Sequence, residues 1–198
     1  MQKALAAWFL LSMAPASAPG PTESLQAGLH QVNQVMDAPA GVTDARRAEL
    51  RRVVDRLFDF REMARRSLGR HWSDRTAQER DEFVAAFRDL VERAYLARVE
   101  KMAGERVTWG PESVDGDTAT VRSRIAAGRQ GEIAMAYRLH QLGSRWAVYD
   151  VAVDGISLVS SYRSQFARII QTSSYGELMR RLRSRDTGAT TIEPAATR

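Results

Sequence analysis

The hydrophobic pattern of this 198-residue chain changes period once, near Gly104, and that change restricts the architectures open to it. Before Gly104 apolar residues recur three and four apart; after it they recur at every second position. Leu25, Leu29, Val32 and Met36 mark a first helix, which Thr22 can cap and Pro39 and Gly41 end. Thr43 opens a second, in which Leu50, Val53, Val54 and Leu57 face one way and Arg46, Arg47, Arg51 and Arg52 the other. The pattern resumes over Phe58–Leu68, with Gly69 just past the helix end. Thr76 and Glu79 form a T-x-x-E capping box ahead of a long helix, with Phe83, Ala86, Phe87, Leu90, Val91, Ala94 and Tyr95 on one face, that runs to about Met102.

Past Gly104 the chain reads as strands. Val107 and Trp109 begin the first, which Gly110–Pro111 interrupts, and Asp115–Gly116 is a hairpin signal. Ala119, Val121 and Ile125 alternate with Thr120, Arg122 and Arg124. After a turn at Gly128–Gly131, Ile133, Met135, Tyr137 and Leu139 alternate with Ala134, Ala136, Arg138 and His140. After Gly143–Ser144, Trp146, Val148 and Asp150 alternate with Ala147, Tyr149, Val151 and Val153. Two helices follow, near 157–171 and 174–185. Helices followed by a meander predict an α+β fold, with helices packed on one face of a twisted four-stranded antiparallel sheet.

The first residues read as an export signal. Lys3 is followed by the apolar run Ala4–Met13 and by small residues at Ala14, Ala16, Ser17 and Ala18, which predicts a signal peptide over 1–16. The run is shorter than the roughly 20 residues a membrane-spanning helix needs. A single domain is expected over 22–185, followed by a flexible Thr/Ala-rich tail over 186–198. The formal charge is +5, carried mostly by Arg. In an exported chain Arg suits phosphates of anionic lipids or a membrane surface and not nucleic acid, or pairs with surface Asp and Glu.

No cofactor motif and no metal cluster is expected: there is no Cys, and His30, His71 and His140 stand far apart. Gly155–Val159 begins like a G-x-S-x-G nucleophile elbow, but Val159 replaces the closing Gly, so Ser157 reads as a helix N-cap. Asp150 and Asp154 bracket a turn; they form an acid–base pair, or Asp154 supports the turn while Asp150 pairs with an Arg. An enzyme would draw on Asp150 and His140, but the alternation puts His140 on the strand face opposite Tyr137. Trp72 is a lid over the core or a partner contact. Phe83, Phe87 and Tyr95, with Met135, Tyr137 and Tyr149, suit either a lipid cavity or a filled core, and periodicity does not separate the two.

Two segments carry a family resemblance. The first is FDFREMARRSLGRHW at Phe58–Trp72, continued by T-x-x-ER-DEF-x-x-AFRDLVERAY to Tyr95. The second is YDV-x-V-DGISLV-x-x-YR-x-QF-x-x-II at Tyr149–Ile170. Together with the strand spacing between them, they resemble the MlaC family, also called the toluene-tolerance auxiliary family, over about residues 22–183. The chain departs mildly at Asp154–Gly155–Ile156, where the family often has Glu–Gly–Val, and at Ser161, where Asn is frequent. The resemblance implies an NTF2-like or cystatin-like cone with an internal apolar pocket and no enzymatic activity. It implies a periplasmic carrier that shuttles phospholipid between inner and outer membranes as the soluble part of an ABC-type transport system. The implied partners are an inner-membrane MCE-type transporter subunit and an outer-membrane lipoprotein complex. One branch of the family is hopanoid-associated, which would make the cargo a hopanoid. On this reading Phe83, Phe87, Tyr95, Met135, Tyr137, Tyr149, Val151, Leu158, Tyr162 and Phe166 line the pocket, and Arg163 meets the headgroup.

Overall fold

The computed structural model describes residues 18–36, 43–102, 104–126 and 131–184. The expected signal peptide, the tail and the turn at 127–130 lie outside the described residues. The helices are α1 (Pro21–Met36), α2 (Asp44–Leu57), α3 (Phe60–Leu68), α4 (Ala77–Met102), α5 (Leu158–Thr172) and α6 (Tyr175–Arg183), with a 3₁₀ turn at Gly69–Trp72 after α3. The strands β1 (Val107–Asp115), β2 (Thr118–Ala126), β3 (Glu132–Leu142), β4 (Arg145–Val153) and β5 (Ile156–Ser157) form one antiparallel sheet in chain order. Among the described residues the fifth strand is the only addition to the expected meander, and it is two residues long. No described helix is long and apolar enough to cross a membrane.

Local chemistry sets the element ends. Thr76 and Glu79 cap α4 reciprocally: the Thr76 N–H donates to the Glu79 carboxylate at 2.8 Å and the Glu79 N–H to the Thr76 hydroxyl at 3.2 Å. Ser157 caps α5, its Oγ accepting from the Ser160 N–H at 3.0 Å, as the imperfect elbow motif predicts. Thr22 does not cap α1. Its backbone N–H, 2.8 Å away, and its hydroxyl both donate to Glu112 on β1, so a carboxylate from the sheet holds the positive end of that helix. Pro111 sits at the β1 irregularity on an edge strand, where a missing N–H costs no ladder bond.

The register divides β2–β4 into two faces. Val121 lies opposite Tyr137, and Tyr137 opposite Val151, so these share an inner face with Ala119, Leu139, Val148 and Trp146. A bulge between Arg138 and Leu139 leaves Tyr149 as the extra residue of β4. Strict alternation would group Tyr149 with Val151 and Asp150 with Val148. The bulge instead keeps Trp146, Val148, Val151 and Val153 in one apolar cluster and sends Tyr149 into another. Helices therefore do not lie on one face alone. α1 and the end of α2 cover the inner face, while α3 and α5 cover β4 from the other side, where Ala147, Asp150 and Ala152 are buried.

Asp150 fastens this arrangement. It is 3% exposed, and its carboxylate accepts from Arg138 of β3, from the Ser157 hydroxyl at 2.7 Å and from the Val159 N–H at 3.1 Å. The Asp154–Gly155 turn, with positive φ at both residues, folds β5 back onto β4 and brings Ser157 and Val159 to that carboxylate. Asp154 bridges to Ala134, its N–H donating to that residue's carbonyl at 2.8 Å and its Oδ1 accepting from that residue's N–H at 3.0 Å. The turn-support and Arg-pairing alternative for these two carboxylates is thus what the structure contains. Asp150→Ala strips three donors of their acceptor and should lower stability in urea by about 2–4 kcal/mol. A loss below about 0.5 kcal/mol, the range of an ordinary surface substitution, would remove Asp150 from this role.

Candidate functional site

Coverage of the inner face is uneven. Beneath α1, Leu25 packs with the fully buried Val121, Leu139 and Val148. Toward the other end of the strands, Trp109, Met135, Tyr137 and Val153 are only half buried, with Leu57 and Phe58 packed against the same cluster. Trp109 and Tyr137 lie with ring centroids 6.3 Å apart. Burial pushes the Tyr137 phenol above its ordinary pKa, an effect reduced by the Ser123 hydroxyl 3.5 Å from its oxygen. This is an incompletely covered apolar surface with one satisfied polar group, the kind of wall that accepts hydrocarbon.

The ten expected lining residues fall into two groups. Met135, Tyr137 and Val151 belong to the inner-face cluster. Phe83, Phe87, Leu158, Tyr162 and Phe166 are buried in a cluster between α3, α4, α5 and α6, with Tyr95 and Tyr149 packed at its edge. There Phe87 meets Tyr162 edge-on at 5.6 Å, Tyr162 stacks on Phe166 at 5.5 Å, and Phe83 meets Phe166 edge-on at 5.8 Å. These centroid separations are those of a close-packed aromatic core. Phe58 packs against both clusters and stacks on Phe60 at 5.9 Å. Sequence reasoning assigned no site role to Trp109, Phe58 or Val153; the available signal was that Trp109 shares the strand parity that faces Ser123 and, beyond it, Met135.

Arg163 lies at a different place. Its Nε donates to the Arg66 carbonyl at 2.8 Å, closing the C-terminal end of α3. Gly69, at φ +60°, gives the chain its exit there, and a Cβ on it would stand 3.5 Å from the Arg163 Nε. The two matching segments thus meet here, Arg163 of the second against Arg66 and Gly69 of the first. Around them opens a pocket of about 500 Å³, lined by Arg65, Arg66, Arg70, His71 and Arg163 besides Leu68, Gly69 and Ala167. A second pocket, of about 190 Å³, lies between α1 and α2 and is lined largely by Gln31, Gln34, Glu49 and Arg56. Neither is the apolar pocket that the resemblance implies.

The candidate acid–base groups sit elsewhere. His140 Nε2 lies 3.1 Å from Asp59 Oδ2, and its ring meets Tyr149 edge-on. Asp59 Oδ1 also caps α3, accepting from the Glu62 N–H at 2.9 Å, and the Asp59 N–H donates to the Val148 carbonyl at 2.8 Å. His140 therefore lies on the face opposite Tyr137, as alternation predicts, and belongs to the joint between helices and sheet. Trp72 is half buried against the helical cluster, with the Arg61 and Arg80 guanidinium groups 5.9 and 5.5 Å from its ring. It fastens the 3₁₀ turn to the start of α4. Among the described residues no group of His, Asp and Glu forms a metal cluster.

The sequence matches the model of the family described as MlaC protein over residues 24–184. The chain belongs to the MlaC family. Among solved structures it is similar to the phospholipid-binding protein from Ralstonia solanacearum, determined in complex with a phospholipid at 1.53 Å resolution. The TM-score is 0.73 at 22% identity, and the match covers 84% of this chain and 95% of that one. The MlaC fold is thus present nearly whole, with the helical cluster and the inner sheet face as the two larger of its apolar bodies.

The two bodies should respond differently to truncation. Phe87→Ala leaves a cavity in the closed aromatic core and should cost about 3–5 kcal/mol in chemical unfolding. A cost near 1 kcal/mol would show that the core is not closed. Glu62 holds Arg65 and Arg66 in place, and their hydrogen bonds, that from Arg65 first, keep its carboxyl below the usual range. Its folded pKa is depressed, so its contribution is complete above the ordinary value near 4.5 and is lost as pH falls toward the folded value. Glu62→Gln should flatten the acid limb of stability against pH; an unchanged limb would contradict the pairing.

Proposed function

We propose that this MlaC-family protein is a periplasmic phospholipid carrier, the soluble component of an ABC-type lipid transport system that maintains outer-membrane lipid asymmetry. The observation that carries the reading is the half-buried inner face formed by Trp109, Met135, Tyr137 and Val153. Family membership and the phospholipid in the Ralstonia neighbour support it. Acyl chains lie along this face, with Val151 behind them, and the helical cluster of Phe83, Phe87, Leu158, Tyr162 and Phe166, edged by Tyr95 and Tyr149, forms the supporting wall. Arg163, at the α3–α5 junction, is the proposed headgroup contact. No reaction is involved: each buried CH₂ contributes about 0.8 kcal/mol, so a two-chain lipid crosses water only under cover. The implied docking partners are an inner-membrane MCE-type subunit and an outer-membrane lipoprotein complex.

Native mass spectrometry of the exported protein, with lipid extraction, tests this reading. The expected result is about one phospholipid per chain. A hopanoid would move the cargo to the other branch of the family, and protein that never carries lipid would end the carrier reading. Met135→Glu places a charge on the acyl surface without opening the core. It should reduce co-purified lipid to below about a tenth of the wild-type content while the protein stays folded. Undiminished lipid in this variant would contradict the assignment of the inner face.

A further inference from the structure

The pocket at the junction of α3 and α5 is strongly charged, and the hydrocarbon-binding reading makes no use of most of it. Four arginines, Arg65, Arg66, Arg70 and Arg163, and His71 line it, and no acidic residue does. The Glu62 carboxylate, outside the lining, accepts from Arg65 Nε at 2.6 Å and from Arg66 Nε at 2.7 Å. One negative charge thus orients two of the four cations and leaves the cluster strongly positive. The Arg66 guanidinium is further held 4.1 Å from the Tyr149 ring centroid. Arg163 is fixed through its Nε on the Arg66 carbonyl, which also offsets the partial negative charge of the α3 C-terminus. Among the described residues no carboxylate pairs with Arg70 or Arg163. His71 Nε2 is shielded from solvent and has no hydrogen-bond partner.

Planar donors with unspent hydrogen bonds, lining a cavity of this size, match the three-oxygen face of a phosphate group. We propose that this pocket is a phosphate-binding site. Arg65 and Arg66 are pre-oriented by Glu62, and Arg70 supplies an uncompensated guanidinium. At about 500 Å³ it accommodates a phosphate with a small polar substituent, and its charged lining is unsuited to acyl chains. Two sources share this chemistry, the headgroup phosphate of a lipid and a free phosphate ion. The inference extends the headgroup role of Arg163 and rests on the carrier reading only for the first source.

The test is an amide NMR titration of the full protein with inorganic phosphate, at ionic strength held constant with chloride. Saturable shifts are expected at Gly69–His71 and Ala167. Arg70 is exposed and its side chain pairs with no carboxylate among the described residues, so Arg70→Gln should keep the fold and weaken the phosphate affinity by about tenfold. No saturable shift at these amides, or the same affinity in Arg70→Gln, would overturn the proposal. Flotation with phosphatidylglycerol vesicles, against phosphatidylcholine vesicles, separates the sources. Loss of flotation in Arg70→Gln supports the lipid headgroup; flotation independent of Arg70, alongside Arg70-dependent phosphate binding, supports the free ion. Lipid-free protein that binds phosphate through Arg70 would end the carrier reading and leave this site standing. Lipid-loaded protein that ignores phosphate would do the reverse.

Discussion

The buried Asp150 carboxylate is the constraint on which the rest of this structure depends. A charge at 3% exposure persists only where its oxygens are satisfied, and here the donors come from three different elements. Arg138 supplies β3, Ser157 the end of β5, and Val159 the first turn of α5. The sheet, the return hairpin and the helix axis are thus fixed at one point. Val159 and Tyr162 then project from α5 into the helical cluster, and Arg163 reaches the α3 carboxyl end. A chain in which β4 ran straight into α5 without the Asp154–Gly155 turn would lose the Ser157 and Val159 donors and leave Asp150 with Arg138 alone.

The bulge at Tyr149 has an equal consequence for function. Without it the last strand would present Asp150 to the inner face beside Tyr137, and a hydrocarbon surface would contain a carboxylate. With it, the inner face stays apolar from Trp146 to Val153, while Tyr149 and Asp150 turn toward α3 and α5. The fold therefore separates an apolar surface, on the sheet, from a cationic one, at the α3–α5 junction. An amphiphile needs both chemistries, and the helical cluster lets them coexist by keeping its own aromatic residues in mutual contact.

Much of the architecture was legible in the sequence because local patterns specify it. The change of period at Gly104, the Thr76–Glu79 box, the Ser157 cap and the hairpin turns each depend on neighbouring residues alone. Thr22 was misread because its partner, Glu112, is 90 positions away. The face of Tyr149 was missed because a bulge inserts one residue without a signature in the alternation. The grouping of the ten aromatic and aliphatic site residues was hidden for a different reason. Helical and strand periodicity assign each residue a face, but not which other element that face meets, so Phe87 and Met135 looked equivalent. The basic pocket went unseen because Arg65, Arg66, Arg70 and His71 read as an exposed helix end until Arg163, distant in sequence, is placed among them.

The central claim is that hydrocarbon meets the inner sheet face and not the helical core, and methionine methyl groups report on it directly. Met135 lies on the inner face, whereas Met63 and Met179 are buried in the helical cluster. Isotope-filtered NOE spectroscopy on methyl-labelled protein loaded with unlabelled phospholipid measures which methyl groups touch acyl-chain protons. Cross-peaks to Met135, and none to Met63 or Met179, are the predicted result. Cross-peaks to Met63 and Met179 with none to Met135 would contradict it.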